Sequence, residues 1–216
     1  ATIALKIGCR IVCGILERSK APMTENATLF NRLEMVADLN PTAPAILSPG
    51  RDPISYEALI DEIAGFGQTL AAMDIGCGDR IAISCSTGPE LAVALLGAAC
   101  AATAAPLSPS LTAPELGRVL KELGATAIIV EAGLGVPARE AARDAGLQVL
   151  ELGSPANGSA GLCRVDDWGR GGKSITKAPK TTAPGNQDVA FLLSTSGTTS
   201  RPKVVPQRHE SVVLSA

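Results

Sequence analysis

The residues best suited to chemistry form one short run near the end of the chain, from Thr195 to Lys203. Hydroxyl side chains flank a glycine in this run, and a proline and a lysine follow them. Glycine lets backbone N–H groups turn toward an anion, hydroxyls donate to phosphate oxygens, and lysine adds a positive charge. We predict a phosphate-binding loop formed by Thr195, Ser196, Gly197, Thr198, Thr199 and Lys203. The alternative to this prediction is an ordinary Ser/Thr-rich surface turn.

The segment that leads into this loop, Val189–Thr195, is mostly apolar and predicts a buried strand. Further strands are predicted at residues 44–47, 80–84, 126–130 and 147–152, with helical segments between them. This alternation indicates an α/β fold with a largely parallel sheet flanked by helices. Open α/β sheets bind ligands at the carboxyl ends of their strands, which is where the predicted loop begins.

Capping signals and apolar spacing place the helices. Ser55 is suited to cap a helix with one apolar face, and Thr112 with Glu115 has capping-box spacing before a helix that Gly124 ends. Thr87 with Glu90 has the same spacing and predicts the start of an Ala-rich helix that extends to about residue 104. A first helix is predicted to have Leu29, Leu33, Val36 and Leu39 on one side, and a further one to cover residues 138–145.

The predicted domain organisation has four parts. Residues 1–22 are a basic, non-native or targeting-like extension, with Met23 as the expected true start. Residues 23–152 form an N-terminal α/β subdomain, and residues 153–187, rich in Gly, Ser, Pro and Lys, form a flexible connection. Residues 188–216 contain the strand and the phosphate-binding loop, and are expected to begin a second, truncated subdomain.

Composition excludes several classes of protein. The 216 residues have a net charge of -2 and 2% aromatic residues, which argues against nucleic-acid binding. The six cysteines form no Cys-x-x-Cys pair and His209 is the one histidine, so we predict no metal site. Reduced thiols indicate the cytoplasm, with a peroxisomal address left open. The longest uncharged run, residues 91–114, is broken by proline and predicts no membrane span.

The run "TSGTTSRPKVV", residues 195–205, resembles the phosphate-loop signature of the AMP-forming adenylating enzyme superfamily, which includes acyl-CoA synthetases, luciferases and peptide-synthetase adenylation domains. The upstream segments "ISYEALIDE" and "GCGDRIAISCSTGPELAVALLGAACAATAAPLSPSLTAPEL" resemble further blocks of the same family. The resemblance spans about Ala37 to Val213. The pair Ser200-Arg201, together with "ATAAPLSPSLTAPEL", is most similar to the oxalate-CoA ligase-like branch.

This resemblance implies a two-step carboxylate–CoA ligase that uses ATP, Mg²⁺ and coenzyme A, with a small-molecule carboxylate as substrate. The six loop residues would then contact the β- and γ-phosphates of ATP, and His209 matches a histidine often found after the loop; a surface residue is the alternative. Ser200 and Val204 replace family glycines, and a β-branched residue is strained where φ is positive. These 216 residues lack the family's later motifs, so we assign no catalytic residue and expect no adenylation by these residues alone.

Two other functions are compatible with the sequence. Gly133, Gly135 and Ala138 follow a predicted strand with Gly-x-Gly-x-x-Ala spacing, and Glu151 ends the next strand. This pattern is similar to a dinucleotide-binding fingerprint and would indicate an α/β oxidoreductase, although an ordinary glycine-rich crossover turn explains it as well. The third hypothesis is a truncated, non-catalytic nucleotide-binding protein.

Overall fold

A seven-stranded sheet with helices on both faces forms the centre of the molecule. The computed structural model describes residues 27–155, 158–167, 183–195 and 203–215. The strands in these residues are β1 (Pro44–Ser48), β2 (Arg51–Ser55), β3 (Arg80–Ser84), β4 (Thr103–Pro106), β5 (Ala127–Glu131), β6 (Gln148–Gly153), β7 (Arg164–Asp167), β8 (Val189–Thr195) and β9 (Lys203–Arg208). The helices are α1 (Leu29–Leu39), α2 (Tyr56–Ala72), α3 (Pro89–Ala101), α4 (Ala113–Leu123), α5 (Val136–Asp144) and α6 (His209–Ser215).

The large sheet has the strand order β7-β6-β5-β3-β4-β8-β9, and β1 and β2 form a separate antiparallel hairpin. The five central strands β6, β5, β3, β4 and β8 are parallel, while β7 and β9 run antiparallel at the two edges. This arrangement confirms the predicted α/β fold with a largely parallel sheet.

Alternate residues of the central strands pack into two apolar layers. In β3, Ile81 and Ile83 belong to the layer under α2 and α3, while Ala82 faces the layer under α4 and α5. In β5, Ile129 and Ile128 divide in the same way, and all five side chains are fully buried. Because helices cover both faces of the sheet, side chains on both sides of these strands are buried, and their sequences are therefore continuously apolar. Each buried isoleucine contributes about 1.5–3 kcal/mol of transfer free energy.

Local capping signals are confirmed where the partners are neighbours in sequence. The Ser55 hydroxyl accepts the Ala58 N–H at 3.2 Å at the start of α2. The Glu115 carboxylate accepts both the backbone N–H and the hydroxyl of Thr112, at 2.9 and 2.7 Å, and Gly124 ends α4 in the left-handed conformation.

The predicted capping box of Thr87 and Glu90 is wrong. Helix α3 begins after Gly88 with Pro89 in its first turn, and it has no side-chain cap. The Glu90 carboxylate instead pairs with Arg51 and accepts the Ser154 hydroxyl. A salt bridge to a neighbouring element therefore replaces the local bond that the spacing indicated.

Four strands, β2, β4, β7 and β9, were not predicted. β4 lies where the Ala-rich helix was expected to continue, because its backbone pairs with β3 and β8. β2 begins at Arg51, where no strand was predicted, and β7 lies within the predicted connection of residues 153–187. β9 follows the predicted phosphate loop. In α1, Leu39 is 55% exposed, so the predicted apolar face is shorter than expected. Strands β8 and β9 join the same sheet as β3–β6, and the division into subdomains stays a prediction.

Within the described residues, no helix combines the length and hydropathy that crossing a bilayer requires.

Candidate functional site

The hairpin of β8 and β9 closes the predicted phosphate loop. The two strands pair antiparallel from Val189 opposite Arg208 to Thr195 opposite Lys203. Thr195, the last residue of β8, and Lys203, the first residue of β9, are thus the two ends of the predicted loop. The other predicted loop residues, Ser196, Gly197, Thr198 and Thr199, lie outside the described residues. The hairpin therefore holds the two ends of the loop directly opposite each other on neighbouring strands.

Strand β8 is anchored in the sheet by its pairing with β4. Ala104 lies opposite Phe191, and the Thr103 hydroxyl donates to the Val189 carbonyl at 2.7 Å. Ala190 is fully buried. Because β8 is parallel to β3–β6, its last residue lies at the carboxyl edge of the sheet, as predicted. Parallel sheets bind their ligands at this edge.

Val204 occupies ordinary strand geometry. It lies in β9, pairs with Ser194 of β8 and packs, half-buried, against the layer under α4 and α5. Among the described residues other than glycine, only Asp74 has a positive φ, so the conformation of Val204 is not strained. Replacing the family glycine here therefore adds a strand-forming side chain without backbone strain. The other departure, Ser200, lies outside the described residues.

His209 follows β9 directly and begins α6. Its relative exposure is 0%, so the interpretation of this histidine as a surface residue is wrong. Its backbone N–H donates to the Asp188 carbonyl at 3.1 Å. Sequence gave no signal of this burial, since the neighbouring residues Arg208 and Glu210 are charged.

A second group of polar residues at the carboxyl edge was not singled out in the sequence. The chain leaves β3 toward α3 on one face and leaves β5 toward α5 on the other, so the two loops diverge and open a crevice of about 320 Å³. The Glu131 carboxylate accepts the Ser86 N–H there at 3.1 Å. The polar run that follows β3 was the available signal. Carboxylates already occupy this crevice, which disfavours phosphate.

The glycines of the dinucleotide-like pattern form a tight turn before α5. Gly133 and Gly135 have φ values of 74° and 76°, and Ala138 packs in the core. Arg139 of α5 forms a 2.6 Å salt bridge with Glu151, the acid that would bind a ribose, and it also donates to the Leu134 carbonyl at 2.9 Å. The turn and the acid therefore have structural roles, as an ordinary crossover would.

The cysteines of the described residues are all free thiols: Cys77, Cys85, Cys100 and Cys163. Burial raises the pKa of Cys85, Cys100 and Cys163 to about 12, so these thiols stay protonated at neutral pH. No group of three or more His, Cys, Asp or Glu side chains that could hold a metal ion occurs in the described part of the chain.

A doubly covered parallel sheet with a hydroxyl-rich loop at its carboxyl edge is typical of nucleotide-binding α/β proteins. The AMP-binding enzyme family model matches residues 33–216. The chain therefore belongs to the AMP-binding enzyme family, and the resemblance noted in the loop is confirmed.

Known relatives include several CoA ligases. The chain is 29% identical to the long-chain-fatty-acid–CoA ligase FadD13 of Mycobacterium tuberculosis over 85% of this chain and 35% of that protein. It is 30% identical to oxalate–CoA ligase of Arabidopsis thaliana, over 84% and 35%. Since these identities are nearly equal, they do not favour one acyl substrate. The chain spans about a third of the length of these relatives.

Solved structures agree with this family. The fold is similar to MatB from Rhodopseudomonas palustris without ligand, with a TM-score of 0.68 and 26% identity over 88% of this chain and 36% of that one. It is also similar to the ATP-bound crystal structure of MatB, with a TM-score of 0.61 and 25% identity over 85% and 35%.

Proposed function

We propose that this chain is the phosphate-binding, N-terminal part of an AMP-forming carboxylate–CoA ligase. The observation that carries the proposal is the β8–β9 hairpin, whose two strands hold the ends of the Ser/Thr-rich loop at the carboxyl edge of a parallel sheet. The chain that contains this hairpin belongs to the AMP-binding family. The ATP-bound MatB structure supports ATP as the nucleotide, and the CoA ligases among the relatives support coenzyme A as the acceptor.

In this proposal the loop binds the terminal phosphates of ATP. The donor set fits phosphate: hydroxyls of Ser196, Thr198 and Thr199, backbone N–H groups around Gly197, and the ammonium group of Lys203 all donate to oxygen. Mg²⁺ bound with the nucleotide would supply additional neutralisation of phosphate charge. Catalysis then depends on placing positive charge and donors around the phosphates rather than on a protein nucleophile.

The proposed reaction comprises two transfers. A carboxylate oxygen of the acid attacks the α-phosphorus of ATP, and pyrophosphate leaves. The sulfur of coenzyme A then attacks the acyl carbon, AMP leaves, and the thiol proton is released. The substrate class is a small carboxylic acid. The thiol state of the described cysteines supports the cytoplasm as the compartment.

The test is ATP–pyrophosphate exchange by the protein that the complete reading frame encodes, measured with a panel of carboxylic acids. We expect Lys203→Ala to reduce exchange by about 100-fold or more, the usual effect of removing one preorganised donor. Lys121→Ala is the matched control, since Lys121 is also exposed but lies on α4, in the helical layer. Exchange that survives Lys203→Ala would contradict the proposed loop role.

A second measurement separates binding from turnover. Tripolyphosphate, which has no adenine or ribose, should bind the 216-residue chain, and Lys203→Ala should weaken this binding. Phosphate binding without exchange in the complete protein would instead support the non-catalytic alternative.

A further inference from the structure

His209 joins two elements that are far apart in sequence. Its Nδ1 accepts the backbone N–H of Leu29 at 3.2 Å, across 180 residues of chain. Leu29 is the first residue of α1, where the N–H groups have no acceptor inside the helix. The imidazole therefore supplies the acceptor that this end of α1 needs, beside the Thr28 side chain that caps the Asn31 N–H.

This contact fixes the protonation state of the ring. A nitrogen that accepts a hydrogen bond carries no proton, so the neutral tautomer with its proton on Nε2 is required. Burial lowers the pKa of His209 and favours the neutral ring, while the Asp188 carboxylate acts in the opposite direction. Nε2 is itself buried and has no hydrogen-bond partner among the described residues. A buried N–H without an acceptor costs free energy, so Nε2 gives no reason for a histidine at this position. The reason is the hydrogen bond that Nδ1 accepts from Leu29.

The position of His209 connects α1 to the phosphate loop. β9 runs from Lys203 to Arg208, and His209 is the next residue, so one extended strand leads from the loop to the buried ring. The start of α6 is also held by the Glu210 N–H, which donates to the Asn186 carbonyl at 3.0 Å. The far end of β9 is thus fixed to the turn before β8 and, through the imidazole, to α1.

We propose that His209 is a positioning residue for the phosphate loop. Its neutral ring holds the end of β9 against the N-terminus of α1, and this keeps Lys203 in register with Thr195 at the mouth of the loop. The inference rests on the proposed function, because it assumes that the loop binds phosphate.

Three variants test the contact through its acceptor. His209→Asn keeps an oxygen near the place of Nδ1 and should preserve the bond to Leu29. His209→Gln moves the oxygen by one bond and should lose it, while keeping a polar side chain of similar size. His209→Leu removes the acceptor. Gln187→Ala is the control, since it removes only the surface bonds of Gln187 to Arg208 and Glu210.

Amide hydrogen exchange at Leu29 and binding of tripolyphosphate are measured for each variant. We expect exchange at Leu29 to be faster by about tenfold in the Gln and Leu variants, the equivalent of one net hydrogen bond. Tripolyphosphate binding should be several-fold weaker in the same two variants, and the Asn variant and Gln187→Ala should behave like the wild type. The Gln variant keeps the test decisive if the Leu variant does not fold.

Each failure has a distinct signature. If the Asn variant exchanges as fast at Leu29 as the Gln variant, the proposed contact is refuted. If Leu29 exchange increases but tripolyphosphate binding does not change, the contact exists and the positioning role is refuted. If the wild type does not bind tripolyphosphate, the proposed function of the loop fails, and the positioning role fails with it.

Discussion

A close contact between α2 and α3 leads to a specific prediction about stability. Gly97 of α3 is buried, and a Cβ atom added there would lie 2.7 Å from Cγ and Cδ1 of Phe66 and 2.9 Å from its Cβ. Carbon atoms pack best at about 3.5–4.0 Å, so the shortfall is about 1 Å. The Phe66 Cβ is attached to the backbone of α2 and cannot rotate away. We therefore expect Gly97→Ala to push the two helices apart.

Two opposing effects set the magnitude. Overpacking a well-packed core costs about 1–3 kcal/mol. Replacing glycine by alanine within a helix gains about 1 kcal/mol. Because the clash involves atoms that are fixed on both sides, we expect the overpacking cost to be about 2–3 kcal/mol. After the gain in helix propensity, Gly97→Ala should lower the free energy of unfolding by about 1–2 kcal/mol.

Gly65→Ala is the matched control in α2. Gly65 is exposed, and a Cβ added there meets nothing within 4 Å. Only the helix-propensity gain applies, so this variant should be more stable than the wild type by about 0.5–1 kcal/mol. Urea unfolding followed by circular dichroism gives both values. The two variants should differ by about 1.5–3 kcal/mol, and their melting temperatures by roughly 3–12 °C for a chain of this size. If Gly97→Ala proves as stable as Gly65→Ala, the close contact of α2 and α3 is wrong.

Three further outcomes follow from the local geometry. Gly124→Ala should destabilise the chain by about 1 kcal/mol, because Gly124 ends α4 with a φ of 60°, which is unfavourable for alanine. Urea unfolding measures this loss, and an unchanged unfolding midpoint would contradict the prediction. Hydrogen bonds from Thr112 lower the pKa of Glu115 below its ordinary value of 4.5. Folding therefore favours the ionised carboxylate, and this stabilisation is present above pH 4.5 and lost as the pH falls below it; Thr112→Ala should raise the Glu115 pKa in an NMR titration. Because burial raises the pKa of Cys85 to about 12, its thiol should react with maleimide more slowly than that of the partly exposed Cys77 at pH 7.5, as mapped by mass spectrometry.

The features that sequence predicted correctly depend on neighbours along the chain. Thr112, Glu115 and Gly124 are the N-cap, the first turn and the C-cap of one helix, so each acts on a partner three residues away or on its own backbone. The alternation of strands and helices is likewise local, so the parallel sheet was predictable. The motif in residues 195–205 was sufficient to indicate the family, while the phosphate-binding role of the loop stays a prediction.

The features that sequence did not predict depend on distant partners. Strand β4 is rich in alanine, which favours a helix, and it becomes a strand because β3 and β8 pair with it on both sides. His209 is buried because it meets Leu29, a residue 180 positions away. Glu90 leaves its expected cap for Arg51 for the same reason.

The edge strand β9 has a consequence for how the molecule behaves in concentrated solution. Leu193 and Val205 are paired across the hairpin and are 41% and 37% exposed, so apolar side chains lie beside an edge of the sheet in the described structure. An exposed apolar edge invites strand addition and aggregation. Pro206, in the middle of β9, has no N–H to offer and disfavours the docking of another strand. The hairpin that presents the loop thus includes a residue that keeps neighbouring molecules from extending the sheet.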